Sequence, residues 1–264
     1  MKILHPVRPN RFVEAAYRAR LIAIIDQMLR STRHWMRAAY RANEPRLAAK
    51  LAQDELPATA ITARIRRLSR YWQRKFDELA PDLARYFATE VSKRSTASLH
   101  TMLKRGGISV QMRDTRAYQD VLKAAIEENV GLIRSIPQQH FGRIEGMVLR
   151  SVQTGRDLHQ LTEDLEGAFG IVRRRAELIA RDQNNKASAV LQRVRQAELG
   201  VTEAIWVHSG GGKHPRPTHV QAGRDKVRYN ISEGWWDPAI KKFIWPGTEI
   251  QCRCVARPVI AGFS

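Results

Sequence analysis

The apolar residues Ile61, Ile65, Leu68, Trp72, Phe76 and Leu79 recur at steps of four, three, four, four and three. Arg64, Arg66, Arg67, Arg70, Arg74 and Lys75 occupy positions between them. Steps of three and four return to one face of an α-helix at every turn, whereas a strand requires steps of two. The segment therefore reads as an amphipathic helix with a strongly basic outer side. Helical spacing continues on either side of it. Phe12, Ala16, Ala19, Ala23, Ile24 and Met28 mark a helix over about 11–42 that ends near Pro45. Leu83, Phe87, Val91 and Leu99 mark another, with Pro81 in its first turn and Gly106-Gly107 breaking it. The first hundred residues read as an antiparallel helical bundle.

Further along, a helix is expected over 114–136, stopped by Pro137, and another over 141–152. Thr154 to Asp157 reads as a turn with Asp157 as N-cap, and Leu158, Leu161 and Leu165 form the stripe that follows. Gly170 is expected to end that helix, and a long one runs from there to a Gly200 cap. Its segment Arg181-Asp182-Gln183-Asn184-Asn185 is unusually polar for a continuous helix.

After Gly200 the character of the sequence changes. "EAIWVHS" reads as a strand, "GGGKHPRP" as a loop, "DKVRYNIS" as a strand or hairpin, and "CRCVARPVI" as a last strand. Four of the six Trp, namely Trp206, Trp235, Trp236 and Trp245, fall here. The expected class is α+β and mostly α: an N-terminal helical bundle, a long helix, and a small C-terminal α+β module with short strands. The division falls between a basic helical region, 1–150, and the module, 151–264.

Lys and Arg number 45 against 26 Asp and Glu, a net charge of +19. Arg supplies 34 of the 45, and the first hundred residues hold 20 basic against 9 acidic side chains. Such a field favours polyanions through counterion release, and Arg adds planar bidentate phosphate contacts. Nucleic acid or an acidic protein surface is the expected neighbour, reached through Arg64, Arg66, Arg67, Arg70, Arg74 and Lys75. The opening residues do not form a signal peptide and no 18-residue apolar stretch occurs, so a cytoplasmic protein without a membrane partner is expected. Two cysteines one residue apart suit a reducing compartment.

Cys252 and Cys254, placed on one strand, would present two thiolates on one side with Arg253 pointing away. With His208 and His219 they form a candidate tetrahedral zinc set. The alternatives are two small buried core residues, or a redox pair. His208, His219 and Asp225 also admit a metal-dependent nuclease or DNA-processing enzyme, although no paired carboxylates or H-E-x-x-H accompany them. The run Ser209 to Lys213 lacks the frame of a phosphate loop and reads as a turn.

Taken in order, several elements resemble the bacteriophage head-morphogenesis, or Mu F-like minor capsid protein, family. They are Arg181 in Ala180-Arg181-Asp182-Gln183, Trp206, Arg216-Pro217-Thr218-His219, Gly223, Pro246-Gly247 and Cys252-Arg253-Cys254. The resemblance covers about 150–260. Two positions depart from it: Asp182-Gln183 stands where Thr-Glu is commoner, and Gln251 where Asn often precedes the Cys-Arg-Cys. The resemblance implies a minor head protein rather than an enzyme, without a cofactor-dependent reaction. It implies the portal protein, other head proteins and, in some relatives, packaged DNA as partners; joined to the net charge of +19, it leads to the expectation of double-stranded DNA bound without sequence preference. It implies assembly in the host cytoplasm and residence in the virion, at the head interior or portal vertex.

Overall fold

The computed structural model describes residues 2–48, 57–153, 158–212 and 214–260. Among these residues the chain is α+β and mostly α, with five helices and short antiparallel strands. Four helices are long: α1 (Arg11–Ala48), α2 (Pro57–Arg105), α3 (Arg116–Gln153) and α4 (Leu158–Glu198). Each contributes a segment to both of two compact units, one made of Tyr17–Leu83 and Glu128–Ile179, the other of Met1–Ala16, Ala84–Glu127 and Ala180–Ser264. The expected division near residue 150 falls inside α3.

Among the described residues the first unit is all helical. Arg33 with Glu166 and Arg173 with Asp26 join α1 to α4. Arg66 with Glu145 and Arg134 with Asp77 join α2 to α3. In each set the residue number rises along one helix as it falls along the other, so both pairs are antiparallel. The buried stripe of α2 contains Ile61, Ile65, Leu68, Trp72 and Phe76, and then moves to Ala80, leaving Leu79 43% exposed. On α1 the buried face is Val13, Tyr17, Leu21, Ile25, Met28 and Leu29. Of the expected α1 stripe only Met28 is buried, and Phe12 is 86% exposed. The larger side chains set the face, because each removes far more apolar area from water than the alanines at 16, 19 and 23.

Three expected breaks are absent. Pro81 lies within α2, Pro137 within α3, and α4 runs through Gly170. An interior proline removes one backbone hydrogen bond and costs about 3 kcal/mol, and an interior glycine about 1. Buried neighbours offset this: Phe76, Ala80, Leu83 and Ala84 flank Pro81, and Ile133, Ile136 and Phe141 flank Pro137. Gln73 Nε2 also donates to the Arg134 carbonyl at 3.3 Å, in the turn that Pro137 perturbs. Helix α1 likewise continues past Pro45. The expected turn at Thr154 to Asp157 lies outside the described residues.

The second unit carries the sheet. β1 (Lys2–Ile3), β2 (Glu203–Val207), β3 (Arg228–Asn230) and β6 (Val255–Ile260) form four antiparallel strands in the order β1-β6-β2-β3. β4 (Trp235–Asp237) and β5 (Lys242–Ile244) form a separate hairpin, and α5 (Pro217–Arg224) lies between β2 and β3 in sequence. Pro217 opens α5 in the first turn, where a missing N–H costs nothing. The two cysteines precede β6 rather than lying within it, so the expected strand begins three residues late. The core joins Ala204 and Trp206 of β2 to Ala222, Tyr229, Ile231, Ile244, Cys252 and Cys254.

Candidate functional site

Trp206 is fully buried, and its ring stands edge-on to His219 with centroids 5.0 Å apart and lies against Trp235 at the same separation. This aromatic wall places His219, on α5, opposite the Cys252–Cys254 segment. His219 Nδ1 lies 3.5 Å from Cys252 Sγ and 4.0 Å from Cys254 Sγ. On its other side, Nε2 lies 3.3 Å from Asp237 Oδ2. Asp237 is completely buried and also accepts from Thr218 Oγ1 at 3.2 Å and from the Ala239 N–H at 2.9 Å.

The cysteines differ in environment although both are buried. The Cys254 thiol donates to Cys252, and with further hydrogen bonds from His219 and the Gly247 N–H it outweighs burial and holds Cys252 well below the ordinary thiol range. Cys254 is pushed far above the ordinary thiol range, first by acting as that donor, then by burial and the neighbouring charge. The pair therefore shares one proton, because two adjacent buried thiolates would repel.

The polar segment of α4 holds this loop. Asn185 Nδ2 donates to the Cys252 carbonyl at 3.2 Å, and Gln183, Asn184 and Asn185 are all buried. The Gln251 N–H donates to Asp182 Oδ1. Arg181 pairs with Glu14 at 3.6 Å. Sequence reading noticed the polarity of this segment without its role, which is to satisfy backbone groups of an irregular loop.

The remaining expected residues surround the same centre. Arg216 Nη2 donates to the Ile250 carbonyl at 3.1 Å. Gly223 sits where an added Cβ would lie 2.5 Å from His208 Cβ, so α5 and the end of β2 approach as only glycine permits. Pro246 and Gly247 are buried in the turn before Cys252, and the Gly247 N–H donates to Cys252 Sγ at 3.4 Å. His208, His219, Cys252, Cys254, Arg216 and exposed Arg253 line a cleft of about 490 Å³. His208 Nδ1 accepts from the Gly210 N–H at 3.2 Å.

Among the described residues, one set of three His, Cys or acidic side chains is arranged to hold a metal: His219, Cys252 and Cys254, with donor atoms within 4.8 Å of one another. Neither His208 nor Asp225 is in that set; Asp225 accepts from Gln221 at 2.8 Å at the end of α5. Asp237 was missed because β4 is three residues long and gives no periodicity.

On α2, Arg66, Arg67, Arg70, Arg74 and Lys75 are exposed, whereas the Arg64 guanidinium stacks over Trp35 at 3.9 Å. Arg66 is paired with Glu145 and Lys75 with Glu78. Arg67, Arg70 and Arg74 have no acidic partner among the described residues, and their spacing of three and four puts them on one strip about 10 Å long.

Residues 142–257 match the family described as Phage Mu protein F like protein. The match takes in α4, β2 to β5, the start of β6 and every residue of the cluster. The chain is also 24% identical over 260 residues to an uncharacterized protein of Haemophilus influenzae. That alignment covers 97% of this chain and 55% of the relative, so the chain spans about half the relative's length. No solved structure matches the chain.

Gln251 has φ = 58°, in the left-handed region that Asn occupies more readily than Gln. Gln251→Asn is expected to raise stability by about 0.5–1 kcal/mol in urea unfolding, and Gln251→Val to lower it by at least as much.

Proposed function

We propose that this chain, with a Mu F-like module over residues 142–257, is a structural head-morphogenesis protein of a tailed phage or prophage. It serves as a minor component at the portal and head interior. The observation that carries the reading is the family match falling on a built site. The motif residues from Arg181 to Cys254 bind one loop, one short helix and one buried carboxylate together, instead of lying scattered over the surface.

The compact module is the unit for docking other head proteins, and α2 supplies contact with DNA. Arg67, Arg70 and Arg74 offer three guanidinium groups on one exposed strip, and a net charge of +19 adds a long-range attraction for phosphate. No helix among the described residues is long and apolar enough to cross a membrane. Contacts of this kind read the phosphate backbone and carry no base specificity.

Mass spectrometry of purified heads is expected to find the chain at a small fraction of the major capsid protein. Its absence from heads would remove the structural reading.

Binding of the full chain to duplex DNA is expected to weaken steeply with salt. Changing Arg67, Arg70 and Arg74 to Gln should reduce the slope of log K against log salt by about 2–3. An unchanged slope, or no binding at low salt, would remove the DNA contact and leave the protein partners.

A further inference from the structure

Two sulfurs and one imidazole nitrogen converge on a single point in the C-terminal module. We propose that His219 Nδ1, Cys252 Sγ and Cys254 Sγ form a zinc-binding site, with Asp237 as the residue that orients the imidazole and the cleft supplying a fourth ligand such as water.

The distances fit. Around a tetrahedral zinc, sulfur at about 2.3 Å and nitrogen at about 2.0 Å lie about 3.6 Å from each other. The observed separations from His219 Nδ1 are 3.5 Å to Cys252 Sγ and 4.0 Å to Cys254 Sγ. The three donor atoms all fall within 4.8 Å of one another. The imidazole is placed as a ligand requires: Nε2 faces Asp237 Oδ2 at 3.3 Å, so when Nδ1 gives up its contact with Cys252 to take a metal, the remaining ring proton lies on the carboxylate side.

The arrangement also contains a thiol, a histidine and a carboxylate in series, as a cysteine nucleophile would have. A nucleophile needs one sulfur at the imidazole, and here there are two, both buried. A second convergent sulfur is what a metal needs. Two thiolates neutralise a divalent ion, so the occupied site carries no net charge beside Arg181, Arg216 and Arg253 of the cleft wall. The cleft reaches all three donors and provides the path for the ion.

The site stands on its own geometry and does not depend on the head-protein reading. The test uses the full chain, purified without chelator. Elemental analysis is expected to give about one zinc per chain. After removal of metal, cobalt(II) should restore one equivalent, with a thiolate-to-cobalt charge-transfer band and the visible bands of a four-coordinate ion. Zinc should also protect Cys252 and Cys254 from alkylation, a readout that needs no variant. Cys252→Ser and Cys254→Ser should each abolish the charge-transfer spectrum or weaken cobalt binding at least 100-fold. Asp237→Asn should weaken it 10- to 100-fold, as expected of a residue that acts through the ligand.

A folded wild-type chain that takes up neither zinc nor cobalt would overturn the proposal. So would metal binding that leaves both thiols open to alkylation. Loss of the head association with metal binding intact would overturn only the proposed function, and the reverse result only the metal site.

Discussion

A carboxylate with no access to water must be answered by polar neighbours: Asp237 accepts from Thr218 Oγ1 and the Ala239 N–H, and His219 Nε2 faces it at 3.3 Å. Thr218 and His219 are neighbours on α5, and the Ala239 N–H closes the turn after β4. Satisfying this one group therefore ties a short helix to a short hairpin, neither of which is long enough to be stable alone. It also fixes the imidazole, whose opposite nitrogen then faces Cys252 and Cys254. The aromatic wall of Trp206 and Trp235 keeps the pair in a dry surrounding, where removing either partner is costly.

The long helices were legible because their signal is long. Ile61 to Phe76 keeps one face over four turns, and the structure buries those residues. The breaks at Pro81, Pro137 and Gly170 were misread because local propensity is a penalty of about 1–3 kcal/mol, which buried neighbours on both sides outweigh. The α1 face was assigned to small alanines when Tyr17, Leu21 and Ile25 hold it. Alanine at helical spacing carries little apolar area and so little information.

The three converging donors were legible as His219 and the two cysteines, whose separation of two suggested that the sulfurs share a side. That separation did its work in an irregular segment before β6, where Cys252 and Cys254 are buried and Arg253 is exposed. α5, the β4-β5 hairpin and Asp237 gave no pattern because each element is eight residues or fewer and is held by tertiary partners. The same holds for Asn185, a polar residue in a helix whose partner, the Cys252 carbonyl, lies 67 positions away. These non-local hydrogen bonds connect segments far apart in sequence into one centre.

The claim on which the rest depends is that Asp237 and His219 act as a unit. A double-mutant cycle with Asp237→Asn and His219→Gln, followed by urea unfolding of metal-free chains, tests it directly. The account predicts a coupling of about 1–3 kcal/mol, with the double variant less destabilised than the sum of the two single ones. Additive effects, with coupling near zero, would show that the carboxylate does not depend on the imidazole and would contradict the account.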